Sequence, residues 1–445
     1  VESLQAKKLE RQWTKAQILT AYLNRIDYGN LCRGAGTGAR YYFGKSLSDL
    51  SPAEAAFLAG LPNAPARFNP RKNFDRAKGR QLTILVRMHR NGWLDGDSYR
   101  RACAEPIALY PNGRAFAAAH FVDLVKQQRD VDVNVQTTLD LPLNRFAHQR
   151  LCDRLERLEG KNVSNGAVVV IENATGNVLA LVGSRDYFDQ HAGQVNGAWA
   201  PRSAGSTFKP FTYLMSLESG RSPASVVADV PTDFATPTGV FSPYNYDRHF
   251  HGPVRLRLAL ANSLNVTAVK VLEQVGGPEA LQKRLQQCGL TTLNATSAYY
   301  GLGLTIGNAE ARLVELTNAF ATLGRLGVHR PYRLLEIDQQ SASKIFDAGQ
   351  AWLIADMLSD NDARAQAFGL DSALSFDFPV ACKTGTSSEF RDNWAIGYTP
   401  EFTVGVWVGN FDGMPMQKVS GVTGAAPVMR GVMMYLHQRF GTSCY

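Results

Sequence analysis

The sequence predicts a multi-domain protein of mixed α/β class, in the α+β sense: a mostly helical front, then a five-stranded antiparallel sheet with a helical lobe. Three observations carry this. The first hundred residues show helical periodicity with clear start signals. Short runs of alternating β-branched residues follow near 133–182, and strands return near 378–408. Between them lies a Leu- and Ala-rich helical stretch from about 203 to 370, so segments distant in sequence must close one sheet. The length of 445 residues fits two or three domains.

In the front, Thr14-Lys15-Ala16-Gln17 and Ser51-Pro52-Ala53-Glu54 are capping boxes, with Pro52 at the first helical position. Ile18, Leu19, Tyr22, Leu23 and Ile26 recur at helical spacing after the first box. Ala55, Phe57, Leu58 and Leu61 follow the second, and Pro62 and Pro65 end that helix. A third helix is expected over about 75–89. Residues 104–132, with Pro106 and Pro111-Asn112-Gly113, read as a linker. The expected domains are therefore 1–103 and 133–445.

In the second domain, Val133, Val135 and Thr137 alternate towards Leu139 as in a strand. Gly166–Ile171 and Val178–Val182 are two further strands around the turn Glu172–Asn177. Phe378–Cys382, Asn393–Tyr398 and Phe402–Val408 complete the set, the last two turned by Thr399-Pro400-Glu401, and a final helix covers about 427–440.

Composition excludes more than it assigns. Apolar residues at 45% and charged residues at 19% exclude a disordered, collagen-like or coiled-coil chain. A net charge of +8 suits anionic lipid or wall polymer, and no Lys/Arg block points to nucleic acid. No run of 18 or more uninterrupted apolar residues that could span a membrane occurs, and no signal-peptide pattern is read within the sequence. The six cysteines form no C-x-x-C pair and are read as small buried hydrophobes. His191, His249 and His251 lack ligand spacing, so no metal is expected.

Chemistry enters through three short motifs. Ser206-Thr207-Phe208-Lys209 places a lysine amine one helical turn from a serine hydroxyl. Serine becomes a nucleophile when a base accepts its proton, and lysine is that base once burial or a nearby cation lowers its pKa. Ser263-Leu264-Asn265 offers a proton-relaying hydroxyl and an amide able to grip a peptide. Lys383-Thr384-Gly385-Thr386, at the end of an expected strand, suits a substrate carboxylate, and Gly385 lets an extended substrate lie close. The N–H groups of Ser206 and Thr386 could form an oxyanion hole.

About one S-x-x-K and one S-x-N arise by chance in such a length. Ser341–Lys344 and Ser359–Asn361 are such coincidences: they sit too close together and to Lys383 to enclose a helical lobe. The chosen triple, widely spaced and ordered, is specific.

These motifs, with Arg202–Pro210 around the serine and Arg391–Tyr398 after the third motif, resemble the transpeptidase domain of penicillin-binding proteins and the related serine β-lactamases. The resemblance covers about 135–440. It extends to Tyr244-Asn245-Tyr246-Asp247 and Phe250–Val254. Lys15–Asn24 resembles the fourth motif of family 51 glycosyltransferases. Arg80, followed by Ile84-Leu85 and Arg87-Met88, resembles the fifth, and Glu2 aligns with the glutamate of the third. Thr20 stands where many members have Glu. The resemblance thus points to bifunctional class A penicillin-binding proteins.

It implies a D,D-transpeptidase without cofactor. Ser206 would attack D-Ala-D-Ala of a peptidoglycan stem peptide and Lys209 would take its proton. Ser263 would relay the proton, Asn265 would orient the donor, and Lys383, Thr384 and Thr386 would hold the terminal carboxylate. β-Lactams would be covalent inhibitors, and lipid II-derived glycan a further partner. The location implied is the periplasmic face of the bacterial inner membrane, with an anchor upstream of Val1. The acidic first motif and Gly-Ser-Thr second motif of the glycosyltransferase do not occur, so no glycan polymerisation is expected. Two other readings stand beside this one. A carboxypeptidase or β-lactamase would resolve the acyl-enzyme with water, for which Glu310 and Glu315 lack the usual context. A weakly active cell-wall scaffold would bind partners instead. Trp394 and Trp407 are expected as core or groove walls, Tyr244 and Tyr246 as cleft-lining residues. Cys382 is expected to face away from Lys383.

Overall fold

The computed structural model describes residues 2–30, 32–110, 118–128, 135–236, 239–338 and 341–443, without the side chains of residues 2–5. Val133, Cys444 and the Pro111-Asn112-Gly113 turn lie outside the described residues. The chain divides into two compact units, 1–117 and 118–445.

The first unit is helical: α1 (Glu2–Gln12), α2 (Lys15–Arg25), α3 (Ala35–Phe43), α4 (Pro52–Gly60), α5 (Phe74–Arg90) and α6 (Gly96–Ala104). Both capping boxes form. Thr14 and Gln17 exchange side-chain-to-backbone bonds at the start of α2, and Ser51 and Glu54 do so at α4. The core gathers Tyr42, Phe57, Leu58, Leu61 and Leu85 from α3 to α5 and the turn after α4. α2 buries none of its residues, and Leu19 and Tyr22 are exposed.

The second unit is built on a sheet in the order β3-β4-β5-β1-β2, with β1 (Asn165–Glu172), β2 (Val178–Val182), β3 (Ala381–Thr386), β4 (Asp392–Tyr398) and β5 (Phe402–Gly409). Every pairing is antiparallel. Alternation sorts the side chains into two cores. Val169, Ile171, Trp394, Ile396 and Trp407 face the helical lobe, while Val168, Val170, Ala395, Val404 and Val406 face the other layer.

The helices are α7 (Ala119–Gln128), α8 (Leu141–Arg157), α9 (Lys209–Glu218), α10 (Leu256–Ala261), α11 (Asn265–Gln274), α12 (Gly277–Gln287), α13 (Ser297–Tyr300), α14 (Leu313–Gly324), α15 (Ala348–Ser359), α16 (Ala365–Phe368) and α17 (Ala426–Phe440). α14 crosses the first face as the buried centre of the lobe, with all twelve residues buried. α8 and α17 cover the second face.

Three expectations change. The stretch 104–132 contains α7, whose Phe121, Leu124 and Val125 enter the main core, because their spacing makes one apolar helical face. No strand forms at 135–139. Thr137 makes only a single bridge to Leu335, and the Thr138 hydroxyl bonds the Val178 carbonyl, so this segment crosses the ends of β2 and the 333–335 segment and extends no ladder. The strand expected over 378–382 begins at Ala381, after Pro379 and its missing N–H, and runs through the whole third motif to Thr386.

Candidate active site

Ser206 lies on a single 3-10 turn, Gly205–Phe208, that runs directly into α9. Pro210 is accommodated because first-turn N–H groups have no helical partner. The turn is pressed onto the end of β3. Gly205 has φ +54°, and a Cβ there would lie 2.9 Å from the Thr386 nitrogen. From the opposite side, a Cβ on Gly307 would lie 1.9 Å from the Gly205 carbonyl oxygen. Two glycines thus let three backbone segments meet behind the serine. Ser206 itself is half-buried, and its hydroxyl makes no hydrogen bond among the described residues.

One turn on, Lys209 is fully buried. Its Nζ donates to the Ser263 carbonyl at 2.5 Å, to Asn265 Oδ1 at 2.6 Å and to Ser263 Oγ at 3.3 Å. Burial, then the nearby Lys383 charge, holds its pKa well below that of an ordinary lysine, against the pull of Asp229. Ser263 sits in the left-handed region at φ +58°, in the tight loop between α10 and α11. That conformation costs on the order of 1 kcal/mol and turns both its carbonyl and its hydroxyl towards Lys209. The same hydroxyl accepts from Lys383 Nζ at 2.8 Å, so two buried amines share one serine oxygen. Lys383 also donates to the Thr384 carbonyl at 2.8 Å. Burial, then Arg364, lowers its pKa to about 7.

Asn265 begins α11 and is held from three sides. Its Oδ1 accepts from Lys209, its Nδ2 donates to the Tyr244 carbonyl at 2.7 Å, and its N–H donates to Asn245 Oδ1 at 2.8 Å. Asn245 is buried and donates in turn to Asp229 Oδ2 at 2.7 Å. The sequence alone gave no individual role to Asp229 or to Asn245, the latter named only as part of the resembling Tyr244–Asp247 segment, and only folding brings them behind Asn265.

On β3, Thr384 is buried, and Thr386 Oγ1 accepts the Gly421 N–H at 3.0 Å, leaving its own proton to donate. Gly385 has a different reason from the expected one. A Cβ there would lie 2.8 Å from the Ala204 carbonyl and 2.8 Å from Thr207 Cγ2, so its bare face admits the serine turn and not a substrate. Cys382 points into the opposite core, as alternation requires.

Ser206, Lys209, Ser263, Asn265 and the third motif therefore converge, the Lys383–Ser263 hydrogen bond alone spanning 120 residues of sequence. The coincidental motifs do not join them. Ser343 and Lys344 lie exposed on a two-residue ladder, while Ser359 bonds the Asp356 carbonyl and Asn361 the Leu370 carbonyl. Glu315 is taken up by Arg312 and Thr291, and Glu310 is exposed on a short ladder with Ser203. Trp394 and Trp407 are buried walls, donating to the Ser203 carbonyl and to Asp392. Tyr244 and Tyr246 are exposed, and the Tyr244 carbonyl accepts from Asn265. Arg80 and Glu2 belong to the first unit. Arg80 runs along α5 beneath Gly60, where a Cβ would meet its Cγ at 2.9 Å. The Glu2 side chain lies outside the described residues.

Comparison with known proteins agrees with this arrangement. The family described as penicillin binding protein transpeptidase domain matches residues 166–433, and the transglycosylase family matches residues 1–89. The chain is 35% identical to penicillin-binding protein 1C of Escherichia coli (strain K12), over 98% of this chain and 55% of that protein. It is 30% identical to penicillin-binding protein 2D of Bacillus subtilis (strain 168), over 92% of this chain and 62% of that one. It thus spans little more than half the length of these relatives. Among solved structures, penicillin-binding protein 1A from Haemophilus influenzae shares the fold at a TM-score of 0.74 and 21% identity, covering 97% of this chain and 87% of that one. With its transpeptidase match preceded by a transglycosylase segment, the chain belongs to the class A penicillin-binding proteins.

Proposed function

We propose that this chain is a serine D,D-transpeptidase acting on peptidoglycan stem peptides. The observation that carries the reading is the fully buried Lys209 amine, one turn from Ser206, with its pKa depressed and its hydrogen bonds fixed on Ser263 and Asn265. Burial that disfavours the ammonium form makes the free base of that amine easier to reach.

Ser206 Oγ attacks the carbonyl carbon of the penultimate D-Ala, and its proton passes to Lys209 Nζ. The N–H groups of Ser206 and Thr386 receive the oxyanion charge. The C–N bond to the last D-Ala breaks, and the leaving amine takes the proton from Lys209 through the Ser263 hydroxyl. An ester to Ser206 remains. An amine of a second stem peptide attacks it, loses a proton along the same route and forms the cross-linking amide, restoring Ser206. Lys383 and the hydroxyls of Thr384 and Thr386 hold the donor's terminal carboxylate, and Asn265 orients its backbone. The tight engagement of Glu315 leaves that carboxylate no part in activating water. β-Lactams would trap the same ester. We place the reaction at the periplasmic face of the inner membrane, where the +8 charge suits anionic surroundings, with residues 1–103 as part of a glycosyltransferase and a transpeptidase domain that takes in α7 ahead of residue 133.

Incubation with a donor stem pentapeptide and an acceptor amine tests this. The expected product is the cross-linked dimer with release of D-alanine. Release of D-alanine with tetrapeptide as the sole product would assign a carboxypeptidase, and no release would refute both.

A further inference from the structure

Arg364 follows α15 and is only 3% exposed. Its Nη2 donates to the Leu358 carbonyl at 2.7 Å and its Nε to the Asp360 carbonyl at 3.3 Å. It forms no ion pair among the described residues. The nearby Asp360 carboxylate is turned to Arg257 and to the Ala363 N–H. Burying a guanidinium without a carboxylate is costly, and a helix C-terminus can be capped by an exposed basic side chain. The position therefore asks for a second reason.

The surroundings supply one. Arg364 lines a small pocket, no roomier than a single water, together with Lys383, Thr384 and Cys382, and apolar side chains that include Met357, Leu358 and Phe368. The turn that carries it is tied to the S-x-N loop by Asn262, which donates to the Ala363 carbonyl at 2.7 Å and accepts the Ala367 N–H at 2.9 Å. The guanidinium is thus fixed beside Lys383 by contacts to the loop that carries Ser263. Between apolar walls two like charges repel strongly. The other titratable groups around Lys383 do not relieve this. Lys209 is a further amine sharing the Ser263 hydroxyl, and Cys382 is a buried thiol whose pKa burial raises, so it stays neutral.

We propose that Arg364 is a positioning residue acting through Lys383: its buried charge makes Lys383 take up a proton together with the substrate carboxylate, so that carboxylate capture is coupled to proton uptake. The neutral amine, a solvent proton and the carboxylate combine to an ammonium–carboxylate pair. The empty site avoids holding a second buried cation beside Arg364, and the occupied one gains a full ion pair. The direction of the Lys383 shift, with Arg364 its second cause after burial, supports this. The proposal rests on the acyl-transfer reading for its substrate, but its test does not depend on turnover.

In the full chain carrying lysine labelled with ¹³C at Cε, the Lys383 resonance, assigned with Lys383→Arg, is titrated by NMR. Wild type is expected to titrate near 7. Arg364→Met is expected to move the midpoint up by on the order of one pH unit, with Arg364→Lys restoring it and thermal melting confirming that the variants fold. Benzylpenicillin, whose carboxylate enters the same site, is expected to raise the wild-type midpoint, an arm that needs no variant. A midpoint unmoved in folded Arg364→Met, or unmoved by penicillin that has demonstrably bound, would overturn the proposal and leave Arg364 a helix cap. Failure of penicillin to bind at all would instead refute the acyl-transfer reading, while the variant arm would still decide the role of Arg364.

Discussion

In the proposed reaction, Lys209 is the residue on which the chemistry turns. Among the described residues its amine has no carboxylate hydrogen-bond partner, and three oxygens from Ser263 and Asn265 fix it, one turn on from Ser206. Its pKa is depressed, so the free base is the working form. Acylation should accordingly fall as pH drops through that depressed value and plateau above it. Lys209→Ala should lower the acylation rate by about 10²–10⁴-fold across the whole range, measured by stopped-flow with a fluorescent penicillin. A rate unchanged in the variant would remove Lys209 from the mechanism. The motif residues were legible in the sequence because nucleophile, base, relay and anchor come as short ordered words. The contacts of Asn245, Asp229 and Arg364 were not: they are hydrogen bonds and charge proximity across the fold, which nothing local in sequence marks.

At the scale of elements, the serine turn, the turn at Gly307 and the edge strand β3 approach closely without side chains between them. Gly205, Gly307 and Gly385 are where that approach happens. Gly307→Ala would put a Cβ 1.9 Å from a backbone oxygen, at a position whose φ is +84°. It should cost about 2–4 kcal/mol and lower the melting temperature. Gly413→Ala, also at positive φ but with open space around the site, should cost about 1–2 kcal/mol. Equal effects of the two would show that close approach is not what Gly307 provides. Strong patterning made the five sheet strands and the capped helices readable. The segment at 135–139 misled because alternation alone cannot tell a ladder strand from an extended crossing held by one threonine hydroxyl.

Across the whole molecule, pH couples to stability through buried histidine. His120 lies in α7 against β2; its Nε2 bonds Ser184 Oγ at 2.9 Å, and Ser184 donates to the Gly193 carbonyl, pinning the 184–193 loop. Burial lowers its pKa from 6.5 to about 4. The unfolded chain takes up that proton first, so stability is intact above 6.5 and is lost as pH falls towards 4. The loss should approach about 3 kcal/mol in urea unfolding and shrink in His120→Gln. A slope unchanged in that variant would assign the acid sensitivity elsewhere. The sequence showed two units from a change of periodicity. It could not place α7, because a single apolar helical face inside a stretch rich in turn residues declares neither which core it joins nor that it joins one.

The central claim is a covalent ester at Ser206 formed by a site assembled from three distant motifs. Peptide mapping by mass spectrometry after exposure to benzylpenicillin tests it most directly. The predicted result is one stable adduct per chain on the peptide containing Ser206, absent in Ser206→Ala. An adduct on another residue, or one that persists in Ser206→Ala, would contradict the account.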